Sequence, residues 1–460
     1  MRRFLSSCLF VLLSLRAAAA PSGYGRVSGG FQSDVLWARD GFYANNYLKL
    51  DYVLGRFSAG IQAEYYPSPL PGYGQDLKGI GLPGKYLAWN DTLWSLTAGD
   101  FYDQFGTGVL FRSWEDRNLG WNNSLGGGRL AFHTPDNLLS VKVMGGWRRR
   151  GLWYGEIPLA GMETGLHWKG FTIQGSGLYR GDTWGWSALA GWEHEGFTTR
   201  AEWVGRRGGA NAQTLEAGFA SGKWSSTLTI RRLRKMTDPL GLNYLPSLSM
   251  QQSYMLAALN PYTPYTEGEL GAAADFYYRL KTWRFHVNGT MIYALPEALP
   301  HQDVLRMAYR ELNVKAENRW SRRIKTVVFV SIQELSPSHG DLRATEFQNV
   351  FVLDGLFRLT DRLSLKTCLQ YLYSQELTRD WMGAVLELTS TDGWGVHVQD
   401  MYNHGSTKEH YYEAGLSWTR GAFKAALSYG RQRAGLICSG GVCRWQPEYT
   451  GGLLRLQYNF

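Results

Sequence analysis

LLRLQYNF, residues 453–460, alternates from Leu454 to its end. Leu454, Leu456, Tyr458 and Phe460 fall on one face; Arg455, Gln457 and Asn459 fall on the other. A period of two is a β-strand with one apolar and one polar side. The pattern recurs in LLSVKV (138–143), where Leu139, Val141 and Val143 oppose Ser140 and Lys142. LSLKTCLQYLY sets Leu363, Leu365, Leu369 and Tyr371 against Ser364, Lys366 and Gln370. In FKAALSY, Phe423, Ala425, Leu427 and Tyr429 oppose Lys424 and Ser428.

Segments of this kind number about 24, and their connections alternate between short and long, as in a transmembrane β-barrel of outer-membrane type. Short ones fall at 55–56, 134–137, 169–170, 195–196, 281–282, 321–323, 360–362, 391–393 and 420–421. Long ones fall at 67–84, 102–125, 234–266, 335–344 and 432–447. A water-soluble sandwich has no reason to keep that order. The expected fold is therefore all-β: a single large antiparallel transmembrane barrel of about 24 strands, within about 20–26. Both termini would be periplasmic, with positions near 135, 322 and 361 on the periplasmic rim and those near 250 and 440 outside. A strand ending in Phe460 resembles the C-terminal assembly signal of outer-membrane proteins. Leu454, Leu456, Tyr458 and Phe460 would carry it and engage the barrel-assembly machinery.

Composition agrees. Aromatics make up 14% of the chain, with 19 Trp and 27 Tyr, and Gly (55) far exceeds Pro (15). Rings at that density suit girdles at two membrane interfaces. Residues 1–20 read as a secretory signal peptide: Arg2 and Arg3, an apolar run from Phe4 to Leu15, then Ala17–Ala20. Residues 21–460 would be one barrel with a charged loop at about 100–125, beginning with a strand near Arg26 to Trp37 that leaves no room for an N-terminal plug. Losing Arg2, Arg3 and Arg16 with the leader takes the formal charge from +9 to +6. The basic residues are dispersed, so nucleic acid is not an expected partner. A basic lumen or contact with anionic headgroups of outer-membrane lipid fits better. Of the remaining cysteines, Cys438 and Cys443 in CSGGVC can close a small disulfide loop in an oxidising compartment. A metal reading of that pair lacks a flanking histidine.

About 24 strands spaced about 4.8 Å and tilted about 40° give a barrel about 48 Å across. Wall side chains cannot fill that width, so the lumen is either wet or occupied by loops. GDFYDQFGTGVLFRSWEDRNLG (99–120) offers a candidate occupant. Asp100, Asp103, Arg112, Glu115, Asp116 and Arg117 would be ruinous on a lipid face and are tolerable in a watery lumen. They are the candidate lumen constriction, and their mixed signs predict mutual pairing more than a pure ion filter. The plainer reading is a loop that braces the wall.

No catalytic or cofactor pattern competes. Gly106-Thr107-Gly108 lacks the third glycine and helix of a dinucleotide loop. Gly185–Leu189 lacks the closing glycine of a nucleophile elbow. His397, His404 and His410 have no carboxylate pattern that completes a metal site. The expectation is no enzyme, no metal and no cofactor.

The 99–120 block, with NNS at 122–124, resembles the signature of an uncharacterised outer-membrane barrel family of Bacteroidota, a domain-of-unknown-function grouping. The resemblance is best over the N-terminal third and implies outer-membrane residence after leader cleavage and a single barrel. It brings no catalytic residues. Two functions follow as expectations: a channel or passive transport protein with an inward-folded charged loop, or a non-conducting scaffold in protein export, gliding or envelope assembly, with an envelope or secretion protein as partner.

Overall fold

The computed structural model describes residues 25–237, 245–299, 302–340, 345–375, 379–439 and 442–460. The signal-peptide reading of 1–20 and position 440 lie outside them.

Twenty-four antiparallel strands form one sheet. It closes because the first strand (Arg26–Ala38) pairs with the second (Gly41–Leu54) on one side and with the last (Tyr449–Asn459) on the other. In the closing seam Gly30 faces Asn459 and Ala38 faces Gly451. Gly29 and Phe460 exchange both backbone hydrogen bonds, at 2.9 and 3.0 Å. Closure leaves no unpaired sheet edge, which is what a spanning β-structure needs where water is absent.

Alternation sets the faces as expected. In Glu346–Arg358, Phe347, Phe351 and Leu353 are exposed outward while Gln348, Val350 and Val352 are buried inward. In the last strand Leu454 lies beside the exposed Leu427, and Arg455 lies inside, 3.9 Å from Asp34. Exposed rings collect at both rims. Trp168, Phe171, Trp192, Phe197 and Trp418 flank the short turns; Trp37, Phe42, Trp153 and Trp184 mark the opposite end. These are the two girdles of a membrane barrel.

The short rim is built from tight turns. At Lys169–Gly170 both residues have positive φ (45° and 84°), the primed geometry that matches strand twist. A Cβ on Gly170 would lie 2.3 Å from the Glu193 carbonyl oxygen, so no side chain fits there.

Two expectations need correction. Short–long alternation is not strict, because Arg39–Asp40, Gly151–Leu152 and Gly181–Asp182 are two-residue links on the long-loop rim. More consequentially, the described part of the longest connection from residue 245 on does not extend outward. Met250, Gln252 and Leu256 are hydrogen-bonded to Glu311, Asn313 and Gln370 on the inner wall, so position 250 is internal. The physical reason is the wall beneath it. Phe329, Val350, Val352, Cys368, Leu372 and Trp381 turn an apolar patch into the lumen, and Leu256, Ala257 and Leu259 cover it. Apolar surface removed from water is worth about 25 cal/mol per Å2, which favours folding the loop in.

Candidate functional site

The charged block also folds inward, and the wall explains why. Leu125, Met144, Leu159, Leu178, Val204 and Leu233 form an apolar inner patch on the wall between strands Leu125–His133 and Trp224–Arg234. Phe105, Val109, Leu110 and Phe111 from the block pack into it with almost no exposure. The tip is then pinned by acids from that wall. Gly106 N–H donates to Glu163 (2.8 Å) and Thr107 N–H to Glu202 (3.1 Å). The Thr107 hydroxyl also donates to Glu202, and Arg206 donates to the Leu110 carbonyl (3.2 Å). The segment holds its own shape through Asn123. Its side chain accepts from Trp114 N–H (2.6 Å) and donates to the Arg112 carbonyl (3.1 Å), tying the end of the segment back to its middle.

The predicted charges divide into distinct roles. Asp103 is held by Arg129 and by Lys142 (2.8 Å), and Lys142 also reaches Glu163 (3.1 Å). Glu115 accepts from Arg117 (3.1 Å), Gln62 (3.2 Å) and Tyr102 (3.1 Å). The Arg117 guanidinium lies 4.7 Å from the Tyr47 ring. Asp116 caps a turn, accepting from Asn118 N–H (2.9 Å). Arg112 lies 5.0 Å from the Trp114 ring and makes no ion pair among the described residues.

Asp100 stands apart from the lumen. It shares a strand face with Trp94 and Leu96, both exposed outward. Its carboxylate is sheltered there: the Tyr154 hydroxyl and the Lys85 backbone N–H (2.7 Å) donate to it, and the Lys85 ammonium lies 3.8 Å away. Counting by twos from Trp94 in the sequence places Asp100 outside, a signal the block reading passed over.

The inward segments interlock. The Tyr73 hydroxyl donates to the Arg117 carbonyl (2.8 Å), and burial pushes that phenol up to about 12, so it remains a donor. The Arg444 guanidinium lies 4.5 Å from the Tyr73 ring and donates to the Pro71 carbonyl (2.7 Å). Arg444 belongs to a small hairpin, Gly435–Ser439 with Val442–Gln446, in which Cys438 and Cys443 form a disulfide with Cα atoms 4.1 Å apart. From the same stretch, Arg433 donates to the Leu259 carbonyl (3.1 Å) of the second inward segment. Side chains thus connect both inward segments across the lumen.

The sequence alone missed the wall residues that receive these segments. Two buried ion pairs matter most: Arg149–Glu64 (2.7 Å) and Arg231–Glu269 (3.1 Å). Glu64 also accepts from Tyr66 and Gln62; Glu269 also accepts from Tyr262 and from Tyr265 N–H. Charges buried this deeply persist only when paired and hydrogen-bonded. The histidines are not brought together. His397 pairs with Glu413 (2.9 Å) and His410 with Asp400 (2.7 Å).

Residues 1–184 and 175–460 match the model of a family of unknown function, DUF6029. The chain belongs to that family. No curated protein matches this DUF6029 chain. Among solved structures, the translocation pore of the P pilus usher (PapC) is similar with a TM-score of 0.51 at 11% identity, covering 94% of this chain and 99% of that one. An E. coli P pilus tip assembly intermediate, PapC-PapD-PapK-PapG, is similar with a TM-score of 0.54 at 10% identity, covering 94% of this chain and 60% of that one. At that identity the likeness is one of fold, and the DUF6029 chain is a large barrel of outer-membrane type.

Proposed function

We propose that this DUF6029 protein is an outer-membrane channel for small polar solutes, its bore narrowed by residues 102–124. The observation that carries the reading is the pinned tip: Gly106 and Thr107 held by Glu163 and Glu202 of the barrel wall. A segment tethered inside the lumen sets both radius and local charge, the two quantities that govern passage. Paired charges of both signs favour neutral polar solutes over either class of ion. Residence in outer-membrane lipid is supported by the outward apolar band and its girdles. Assembly through Leu454, Leu456, Tyr458 and Phe460 belongs to the same reading. We assign no catalytic role to the site.

The interlock through Tyr73 and Arg444 favours a second reading, a closed scaffold that meets a protein partner in the envelope. Liposome swelling separates the two. Purified protein in liposomes should admit small sugars faster than large ones. Vesicles that swell no faster than protein-free controls would favour the scaffold.

A further inference from the structure

A cavity of about 450 Å3 opens between the second inward segment, the wall and the disulfide hairpin. It sits toward the long-loop rim: its wall residues Tyr309 and Gln333 lie near that end of their strands, Arg306–Arg319 and Ile324–Leu335. The size is that of an ordinary small-molecule site. Its chemistry differs from the rest of the lumen. None of the described residues lining it carries a charge; polar groups come from Gln251, Gln252, Asn260 and Gln333. Pro246, Pro264, Leu436 and Ile437 supply apolar surface.

Two neighbouring carboxylates are already occupied behind this lining. Glu269 is taken by Arg231, Tyr262 and Tyr265. Glu311 accepts from Met250 N–H, Gln252 and Tyr309. One polar atom is left over. The Gln252 amide nitrogen donates to Glu311 (3.3 Å) and Asn313 (3.2 Å), which fixes the orientation of the amide. Its oxygen Oε1 is buried with no hydrogen-bond partner. That oxygen is closed off from the cavity, so the amides of Gln251 and Asn260 are the side-chain groups left to meet a hydroxyl or N–H of a ligand.

We propose that this cavity binds a neutral saccharide. Hydroxyls would pair with the Gln251 and Asn260 amides, while the C–H face of a sugar ring would lie on the proline and aliphatic surface. Ions and zwitterions would lose hydration without finding a counter-charge. An anionic sugar would also face Glu311, buried behind the lining. The hairpin carrying Cys438 and Cys443 forms one side of the cavity, and the disulfide fixes its shape. The site needs no conduction, so its test is independent of the channel reading.

Isothermal titration calorimetry on the full barrel in nanodiscs tests the proposal, with glucose, maltose and maltotriose as ligands and glucuronate and glycylglycine as charged controls. At least one neutral sugar should bind, and the charged probes should bind at least tenfold more weakly. Gln251→Ala combined with Asn260→Ala should weaken sugar binding at least tenfold. Ala258→Trp, which fills the cavity, should abolish it while the heat-modifiable gel shift of the folded barrel is retained. If Ala258→Trp does not assemble, Gln251→Ala with Asn260→Ala alone decides. Absence of binding by all three sugars would overturn the assignment. So would equal binding of glucuronate, or binding that survives Gln251→Ala with Asn260→Ala unchanged.

Discussion

Arg455 and Leu456 are adjacent and face opposite solvents. Arg455 lies inside near Asp34, and Leu456 lies outside beside Ala425 and Ser33. An arginine on the lipid face costs about 2–4 kcal/mol at the bilayer midplane and less near an interface. Leu456→Arg is therefore expected to reduce assembled barrel more than Arg455→Leu, measured by heat-modifiable mobility in outer-membrane fractions. Full assembly of both variants would remove the face assignment. His339, on the long-loop rim, gives a pH effect. Its ring stacks on Tyr265 (4.4 Å between centroids), Nδ1 is buried without a partner, and burial holds its pKa below 6.5. The unfolded segment then binds a proton more readily than the folded one, so stability falls as pH drops through about 6.5. Limited proteolysis of this rim should accelerate between pH 7 and pH 5. His339→Phe should flatten that response; a wild-type rate independent of pH would contradict the assignment.

At the scale of elements, strands were far more legible than loops. A strand states its own orientation through period two, and even Asp100 could be placed outside by counting from Trp94 and Leu96. The path of a long connection depends on surface that lies far away in sequence. Residues 245–265 fold in because Phe329, Val350, Val352 and Leu372 are apolar on the inner side, yet in the sequence such residues read only as continuous apolar runs. For the same reason the charges of the 102–124 segment were recognisable as a set, while their partners Glu163, Glu202, Arg129 and Lys142 were not, being dispersed over several strands. The inward path has a direct check. Thr107→Cys with Glu202→Cys should be joined by a short bifunctional thiol crosslinker in assembled barrel, since the Thr107 hydroxyl reaches the end of the Glu202 side chain. Failure to crosslink, with Thr107→Cys labelled on intact cells by an impermeant maleimide, would place the tip outside.

The whole molecule is a wall that closes without edges and a lumen that its own loops occupy. Width follows from strand number, and a barrel of 24 strands is too wide for wall side chains to fill. Narrowing therefore has to come from segments tethered inside. In this chain the charged segment is tethered by Glu163 and Glu202, and its acids Asp103 and Glu115 are neutralised by Arg129, Lys142 and Arg117. Single-channel conductance in planar bilayers, comparing the parent with a variant lacking residues 103–117, tests that claim most directly. The assembled deletion variant should show a severalfold larger conductance than the parent. A deletion barrel that shows the folded gel mobility and conducts no more than the parent would contradict it.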